Sequence, residues 1–244
     1  MKKVVLLLIV VSFMLAGISF AGTYEVVDVK GGGSITGVIK ASAKVADPIV
    51  KFESTKAEEH TLCGMEAPAG MYVISAGMGV KNVLVYIEEV PKGKAMPKID
   101  YKITNEKCQF APLVGIAYLG ANFVVKNDDS IFHNTSIGLM SGGKRSTVYN
   151  LALPGKDQVI TKPVRRAGLN SVKCDAHPWM RAWIYAAKNP YAAITDAEGR
   201  FEIKDLLPGA YKVTIFHEGF GDVTKDVTVA AGKAATLDHT FTKK

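Results

Sequence analysis

One short loop, Cys174-Asp175-Ala176-His177-Pro178-Trp179-Met180, contains a thiol, an imidazole and a thioether. A second imidazole, His133, lies upstream in Ser130-Ile131-Phe132-His133-Asn134, a segment with strand-like flanks. Two imidazoles and one thiolate can form a trigonal plane around an ion, and a thioether can add a weak axial bond. That donor set suits both oxidation states of copper, and it is the set of a blue-copper site. The sequence therefore predicts one copper ion, held on a rigid β scaffold.

The spacing Cys-x-x-His-x-x-Met, with proline after the histidine, resembles the ligand loop of amicyanin-type cupredoxins and, more loosely, that of plastocyanins. The resemblance implies that His133 and His177 are equatorial nitrogen ligands, that Cys174 is the equatorial thiolate and that Met180 is the axial ligand. A wider pattern, from Cys108-Gln109-Phe110-Ala111-Pro112 to Thr195-Asp196, resembles exported proteins of the methylamine-utilisation type.

The same resemblance implies roles for the neighbours of the ligands. Asn134 matches a cupredoxin position whose side chain ties the two ligand loops together, and Pro178 stiffens its loop because proline fixes φ. His177 is expected at the surface as the port for electrons. Trp179 is expected either in an apolar docking patch beside it or in a core or domain interface.

Other interpretations of these residues stay open. Cys174 could be a structural cysteine among ordinary histidines, or the site could hold another metal or have lost its metal. A thiol nucleophile activated by His177 is disfavoured, because the loop offers no recognisable oxyanion donor or orienting carboxylate. His217 and His239 are expected to be ordinary strand residues, solvent-facing or at a domain interface.

Residues 1–21 are typical of a secretory leader. Lys2 and Lys3 precede an apolar run, and Ser19-Phe20-Ala21 places small residues where a signal peptidase cleaves. We expect cleavage after Ala21 and a periplasmic or secreted protein without a membrane span. The alternative is an uncleaved anchor, since the run could almost cross a thin bilayer.

The net charge of the chain indicates which kinds of partner it could bind. Of 30 basic residues, two lie in the leader, so 28 against 23 acidic residues leave a formal charge of +5. The lysines are scattered without a dense run, which does not indicate nucleic-acid binding. A mildly basic surface gives weak support to an acidic redox partner, such as a c-type cytochrome.

Three cysteines in an exported chain indicate one pair and one free thiol. The natural division pairs Cys63 with Cys108 in a disulfide and leaves Cys174 for the metal. The competing interpretation is a second soft-metal cluster of Cys63 with His60 and Met65.

Short alternating or β-branched segments predict an all-β protein of sandwich layers, with no long helix after the leader. Examples are Ser34–Lys40 and Asn82–Ile87, and residues 141–146 are expected to be a flexible polar loop. The C-terminal segment, with turns at Asp196–Gly199 and Leu207–Tyr211, resembles the carboxypeptidase regulatory-like, or transthyretin-like, domain.

Strands that such a domain needs also precede the metal region. We therefore predict a cupredoxin-type Greek-key sandwich at residues 104–187, inserted in a small transthyretin-like sandwich made of residues 22–103 and 188–244. Insertion is tolerated where the inserted termini lie close together. Linear order, with a short C-terminal module joined to a cupredoxin, is the alternative.

The predicted function is that of an exported one-electron carrier with a type 1 copper ion, not an enzyme. The rivals are a periplasmic copper-binding or delivery protein and a structural β module without metal.

Overall fold

The protein is nearly all β in the computed structural model, which describes residues 24–54 and 56–242. The predicted leader, residues 1–21, lies outside the described residues. The elements are β1 Glu25–Val26, β2 Gly33–Ala41, β3 Ile49–Lys51, α1 Ala57–Cys63, β4 Glu66–Pro68, β5 Leu84–Ile87, β6 Lys92–Gly93, β7 Tyr101–Glu106, β8 Gln109–Ala111, β9 Val114–Tyr118, β10 Asn122–Asn127, β11 His133–Ser141, β12 Lys144–Leu153, β13 Val159–Pro163, β14 Gly168–Lys173, β15 Arg181–Ala187, β16 Ala192–Ile194, β17 Arg200–Leu206, β18 Gly209–His217, β19 Gly221–Val229, β20 Ala234–Thr236 and β21 His239–Phe241. The predicted all-β class with sandwich layers is confirmed.

Two sheets in the middle of the chain form what we call the central sandwich. One has the strand order β13-β10-β7-β8 and the other β12-β11-β14-β15-β9. Successive side chains of a strand point to opposite faces of the sheet, so β10 turns Phe123, Val125 and Asn127 inward and its other residues outward. The buried apolar side chains of both sheets meet in one cluster, which includes Ile103, Phe110, Ile137, Leu153, Val172 and Ile184.

Two further sheets form the flanking sandwich, with orders β16-β5-β18-β19 and β17-β2-β20, and β21 also pairs with β2. Strands β2 and β5 precede the central sandwich in the chain, whereas β16 to β21 follow it. The chain therefore leaves the flanking sandwich and returns to it. The domain boundaries stay predictions, and the one between residues 103 and 104 falls inside β7.

The two sandwiches pack against each other through aromatic residues. Tyr86 of β5 stacks on Tyr185 of β15 with ring centroids 3.9 Å apart, and Trp183 lies 4.9 Å from Phe216. Each such pair contributes about 0.5–1.5 kcal/mol beyond the area that it buries. This contact holds β15, which follows the predicted ligand loop, in a fixed position.

A segment that we call the cap, residues 49–54 and 56–68, lies over one end of the central sandwich. It consists of the β3–β4 hairpin and the helix α1 between its strands. Phe52 stacks on Trp179 at 5.1 Å, and Cys63 forms a disulfide with Cys108. The predicted disulfide is thereby confirmed, and it removes Cys63 from any thiolate cluster with His60 and Met65.

The helix of the cap was not expected from the sequence. A helix of 7 residues is too short to be stable alone. Glu58 and Glu59 in its first turn favour it through the helix dipole, and Gly64, with a φ of 83°, follows its last residue. Packing and the disulfide supply the rest of its stability.

Residues 141–146 are a tight hairpin and not the flexible loop predicted above. Gly142 and Gly143, with φ of 55° and 75°, connect β11 to β12. Positive φ at both central residues is what a type I′ turn requires, and this turn matches the twist of the paired strands.

No helix within the described ranges is long and apolar enough to cross a membrane.

Candidate metal centre

Three predicted ligands meet at the end of the central sandwich that the cap covers. His133 opens β11, and Cys174 directly follows β14, its antiparallel neighbour. The register pairs Ser136 with Lys173, so the start of one strand lies beside the end of the other. The loop after Cys174 then brings His177 back over the same end before β15 begins.

The donor atoms of these residues converge on one point. The Nδ1 atoms of His133 and His177 are 2.9 Å apart, and the Cys174 Sγ lies 4.0 Å from the first and 3.6 Å from the second. All three side chains are buried, with exposed fractions of 0%, 2% and 2% for His133, Cys174 and His177. The site is therefore shielded from water.

The outer nitrogen of His133 is held by Asp129. The distance from Nε2 to the Asp129 Oδ2 is 2.8 Å, and the carboxylate also accepts hydrogen bonds from the N–H groups of Lys107 and Cys108. Since the ionised carboxylate only accepts, Nε2 carries the proton and Nδ1 is free to bind a metal. Burial lowers the pKa of His133, but Asp129 and Cys174 outweigh it and raise that pKa.

Asp129 itself stays ionised despite its burial. Burial would raise the pKa of Asp129, but the hydrogen bonds from His133, Cys108 and Lys107 lower it. Sequence reasoning missed this residue. A signal was present, because a carboxylate four residues before a predicted metal-binding histidine is a candidate for the partner of its outer nitrogen.

The outer nitrogen of His177 faces the cap. Its Nε2 lies 3.5 Å from the Oε2 of Glu59, a buried residue of α1. The expectation of a surface-exposed His177 is therefore wrong. The physical reason is that the cap covers the ring edge, and neither Glu59 nor the cap carried a sequence signal for this contact.

The arrangement of protons makes the site fit a cation. Both outer nitrogens face carboxylates, so a proton on each Nε2 leaves both Nδ1 lone pairs directed at the same point. A separation of 2.9 Å between two Nδ1 atoms then requires a proton or a metal ion between them.

Cys174 adds negative charge beside this point. Burial alone would raise the pKa of its thiol, but the imidazole groups of His133 and His177, with backbone N–H groups of Asn134 and His177, lower it to about 6. A thiolate and two imidazole nitrogens are a donor set that copper accepts in both oxidation states.

Met180 lies at the end of the same loop. Its side chain is fully buried in the apolar cluster that also contains Cys174, and its N–H donates to the His177 carbonyl. Its role as an axial ligand stays a prediction.

Asn134 joins the two ligand-bearing segments by hydrogen bonds. Its Oδ1 accepts from the N–H of Asp175, and its Nδ2 donates to the carboxylate of Asp175 and to Asn150. Its own backbone N–H points at the Cys174 Sγ, 3.4 Å away. Pro178 is exposed, while Trp179 is half-buried and donates from Nε1 to the Cys108 carbonyl.

A second cluster, Cys108 with Asp129 and His133, also brings three donor types together. Its sulfur belongs to the disulfide with Cys63 and is not available as a thiolate. We therefore assign no metal to it.

Comparison with family models supports the resemblance of the C-terminal region. Residues 180–242 match the family model of the carboxypeptidase regulatory-like domain, which confirms that interpretation of the C-terminal region. No match was found among curated proteins.

Three solved structures among those that resemble the chain are the following. A purple cupredoxin from Nitrosopumilus maritimus is 22% identical, with a TM-score of 0.31 and coverage of 36% of this chain and 100% of that one. A copper-containing nitrite reductase from Thermus scotoductus SA-01 is 17% identical, with a TM-score of 0.31; the match covers 41% of this chain and 25% of the reductase. An amicyanin variant in its reduced Cu(I) form is 16% identical, with a TM-score of 0.31 and coverage of 37% and 85%.

Proposed function

We propose that this protein is an exported type 1 copper protein that carries single electrons and is not an enzyme. The observation that carries the proposal is the convergence of the Cys174 sulfur with the Nδ1 atoms of His133 and His177 in a buried site. Bound copper would supply reversible one-electron chemistry, and Met180 would be its axial ligand.

The chain's own residues keep the donors in place for both oxidation states. Asp129 fixes the orientation of His133, and Asn134 ties its strand to the loop after Cys174. Strands β14 and β15 anchor both ends of that loop. Electron transfer is fast when little has to rearrange, and a fixed donor set of this kind meets that condition.

Export is part of the proposal. The leader-like residues 1–21 and the disulfide between Cys63 and Cys108 support it, because disulfides persist in oxidising compartments. The mildly basic surface supports an acidic redox protein, such as a c-type cytochrome, as the partner.

Copper addition tests the proposal. Cu(II) is added to the protein purified without its predicted leader, and visible absorption and electron paramagnetic resonance spectra are recorded. We expect one copper per chain and an intense thiolate-to-copper band that disappears on reduction and returns on oxidation.

The matched variants are Cys174→Ser, which should stay colourless, and His239→Asn, on the flanking sandwich, which should remain blue. A colourless wild type that holds only Cu(I) would favour copper delivery, and one that binds no copper would favour a structural module. Either outcome contradicts the carrier proposal.

A further inference from the structure

The cap shields the copper site on the side of His177. The His177 side chain is 3% exposed, and the side chain of Glu59, which faces it, is 9% exposed. In the cupredoxin arrangement that the sequence resembles, this histidine edge is the expected port. Here the cap, and not solvent or a partner protein, contacts this edge of His177.

The carboxylate of Glu59 is fixed from several sides. Its Oε2 accepts a hydrogen bond from the Ser54 hydroxyl at 2.5 Å, and its Oε1 lies 2.8 Å from the Lys56 ammonium. These contacts hold the Glu59 carboxylate with its Oε2 3.5 Å from the Nε2 of His177.

The cap is attached to the ligand loop and to its support. Phe52 stacks on Trp179, whose ring lies 5.0 Å from that of His177, and Trp179 also donates to the carbonyl of Cys108. Cys108 is the disulfide partner of Cys63 at the last residue of α1. One aromatic stack and one covalent bond therefore hold Glu59 against His177.

We propose that Glu59 is a positioning residue for His177, and that the disulfide-held cap closes the imidazole edge of the copper site. The copper part of this inference rests on the proposed function. The charge of Glu59 at 3.5 Å favours the proton on Nε2, and so leaves the Nδ1 lone pair directed at the point shared with His133 and Cys174.

Glu59 also has an electronic consequence. A negative partner raises the basicity of a ligating imidazole and favours the more highly charged Cu(II) over Cu(I). Removing the charge should therefore raise the reduction potential. Loss of an outer partner weakens metal binding about 10–100-fold. If only the affinity for Cu(II) falls, a loss of about tenfold raises the reduction potential by about 59 mV for one electron.

Nitrogen-15 NMR of the metal-free protein tests the positioning role without copper. We expect His177 in wild type to carry its proton on Nε2. In Glu59→Ala the two tautomers should mix, and in Glu59→Gln, whose amide oxygen can still accept, the Nε2–H form should persist. Glu58→Gln, the exposed neighbour in α1, is the matched control and should match wild type. An unchanged tautomer in Glu59→Ala would overturn the positioning role.

The reduction potential of the copper-loaded proteins tests the electronic consequence. The reduction potential of Glu59→Gln should be higher than that of wild type by roughly the amount given above, and that of Glu58→Gln should equal the wild-type value. Equal potentials in Glu59→Gln and wild type would contradict it. If the wild type stays colourless with copper while the His177 tautomer depends on Glu59, the copper proposal is wrong and the positioning role of Glu59 still holds.

Thiol reactivity tests the closure. Cys174 is the only free thiol in the described residues, so a disulfide reagent with a chromogenic leaving thiol reports its access. In the metal-free protein we expect slow modification of wild type and at least about tenfold faster modification of Cys63→Ala/Cys108→Ala, in which Cys174 is also the single thiol. Circular dichroism checks that this variant is folded. Equal rates in a folded variant would show that the cap does not close the site.

Discussion

Buried histidines occur in both sandwiches, and they differ in what their nitrogens contact. In the flanking sandwich, the Nδ1 of His217 accepts hydrogen bonds from the N–H groups of Gly219 and Phe220, and a backbone hydrogen bond joins the ring to Met71. In the central sandwich, His133 and His177 direct their Nδ1 atoms at each other beside a cysteine sulfur.

Burial therefore does not distinguish a structural histidine from a ligand. His217 is 2% exposed, as is His177, but its ring nitrogens are used by the backbone. It was expected at the solvent or at a domain interface, and instead it packs against Phe220 and Phe241 inside the flanking sandwich. What indicates a metal site is a set of inner nitrogens whose outer partners are carboxylates.

The largest expected difference between the two kinds of histidine is in copper binding. His133→Ala should lose the thiolate-to-copper band completely, because the trigonal set then has only one imidazole. His217→Asn should keep the full band. Visible spectra at one equivalent of Cu(II) measure both, and a blue His133→Ala protein would show that His133 is not a required ligand.

Removing the disulfide should weaken the central region more than the flanking one. The bridge closes a separation of 45 residues, for which the chain-entropy relation gives a stabilisation of about 4 kcal/mol. Denaturant unfolding of Cys63→Ala/Cys108→Ala measures this loss. Hydrogen exchange should be faster in the cap while amides of β2 and β17 keep their relative protection, and the reverse pattern would contradict the assignment of the bridge to the cap.

Acid should act on the flanking sandwich through His217. Burial lowers its pKa to about 4 in the folded state, so between the ordinary histidine pKa of about 6.5 and that value the unfolded chain binds the additional proton. The stabilisation is present above about pH 6.5 and is lost as the pH falls to about 4, by about 3 kcal/mol.

Unfolding free energies at several pH values, in wild type and His217→Asn, test this effect. The variant should show a shallower loss of stability in that window, since carboxylates titrate in both proteins and cancel in the difference. Identical pH profiles would show that His217 does not carry the effect.

A smaller effect is expected where hydrogen bonds, not ligands, support the site. Asn134→Ala should lower stability by about 1–2 kcal/mol, because partly buried groups of the Asp175 loop lose their hydrogen-bond partner. The copper band should persist with a changed intensity or position. Asn150→Ala, which removes the exposed partner of Asn134, is the control and should have little effect on the spectrum.

The sequence predicts the strands and the converging donors because both depend on local patterns. Alternation in Ser34–Lys40 and the β-branched run in Asn82–Ile87 indicate strands, and the spacing from Cys174 to Met180 indicates a ligand loop. The odd cysteine count likewise indicates the disulfide of Cys63 with Cys108.

The parts that could not be predicted depend on contacts between distant residues. Helix α1 is shorter than the window in which helical periodicity can be recognised, and the contact of Glu59 with His177 exists only in the folded chain. For the same reason the sequence suggested an exposed His177. The Gly142–Gly143 turn did have a local signal, since two glycines between alternating segments favour a hairpin.

X-ray absorption at the copper edge of the protein loaded with one equivalent of Cu(II) identifies the ligands of the bound ion. We expect a first shell of one short copper–sulfur bond and two copper–nitrogen bonds from imidazole, with the sulfur contribution lost in Cys174→Ser. A shell of nitrogen and oxygen only, unchanged by that substitution, would show that copper does not bind between His133, Cys174 and His177.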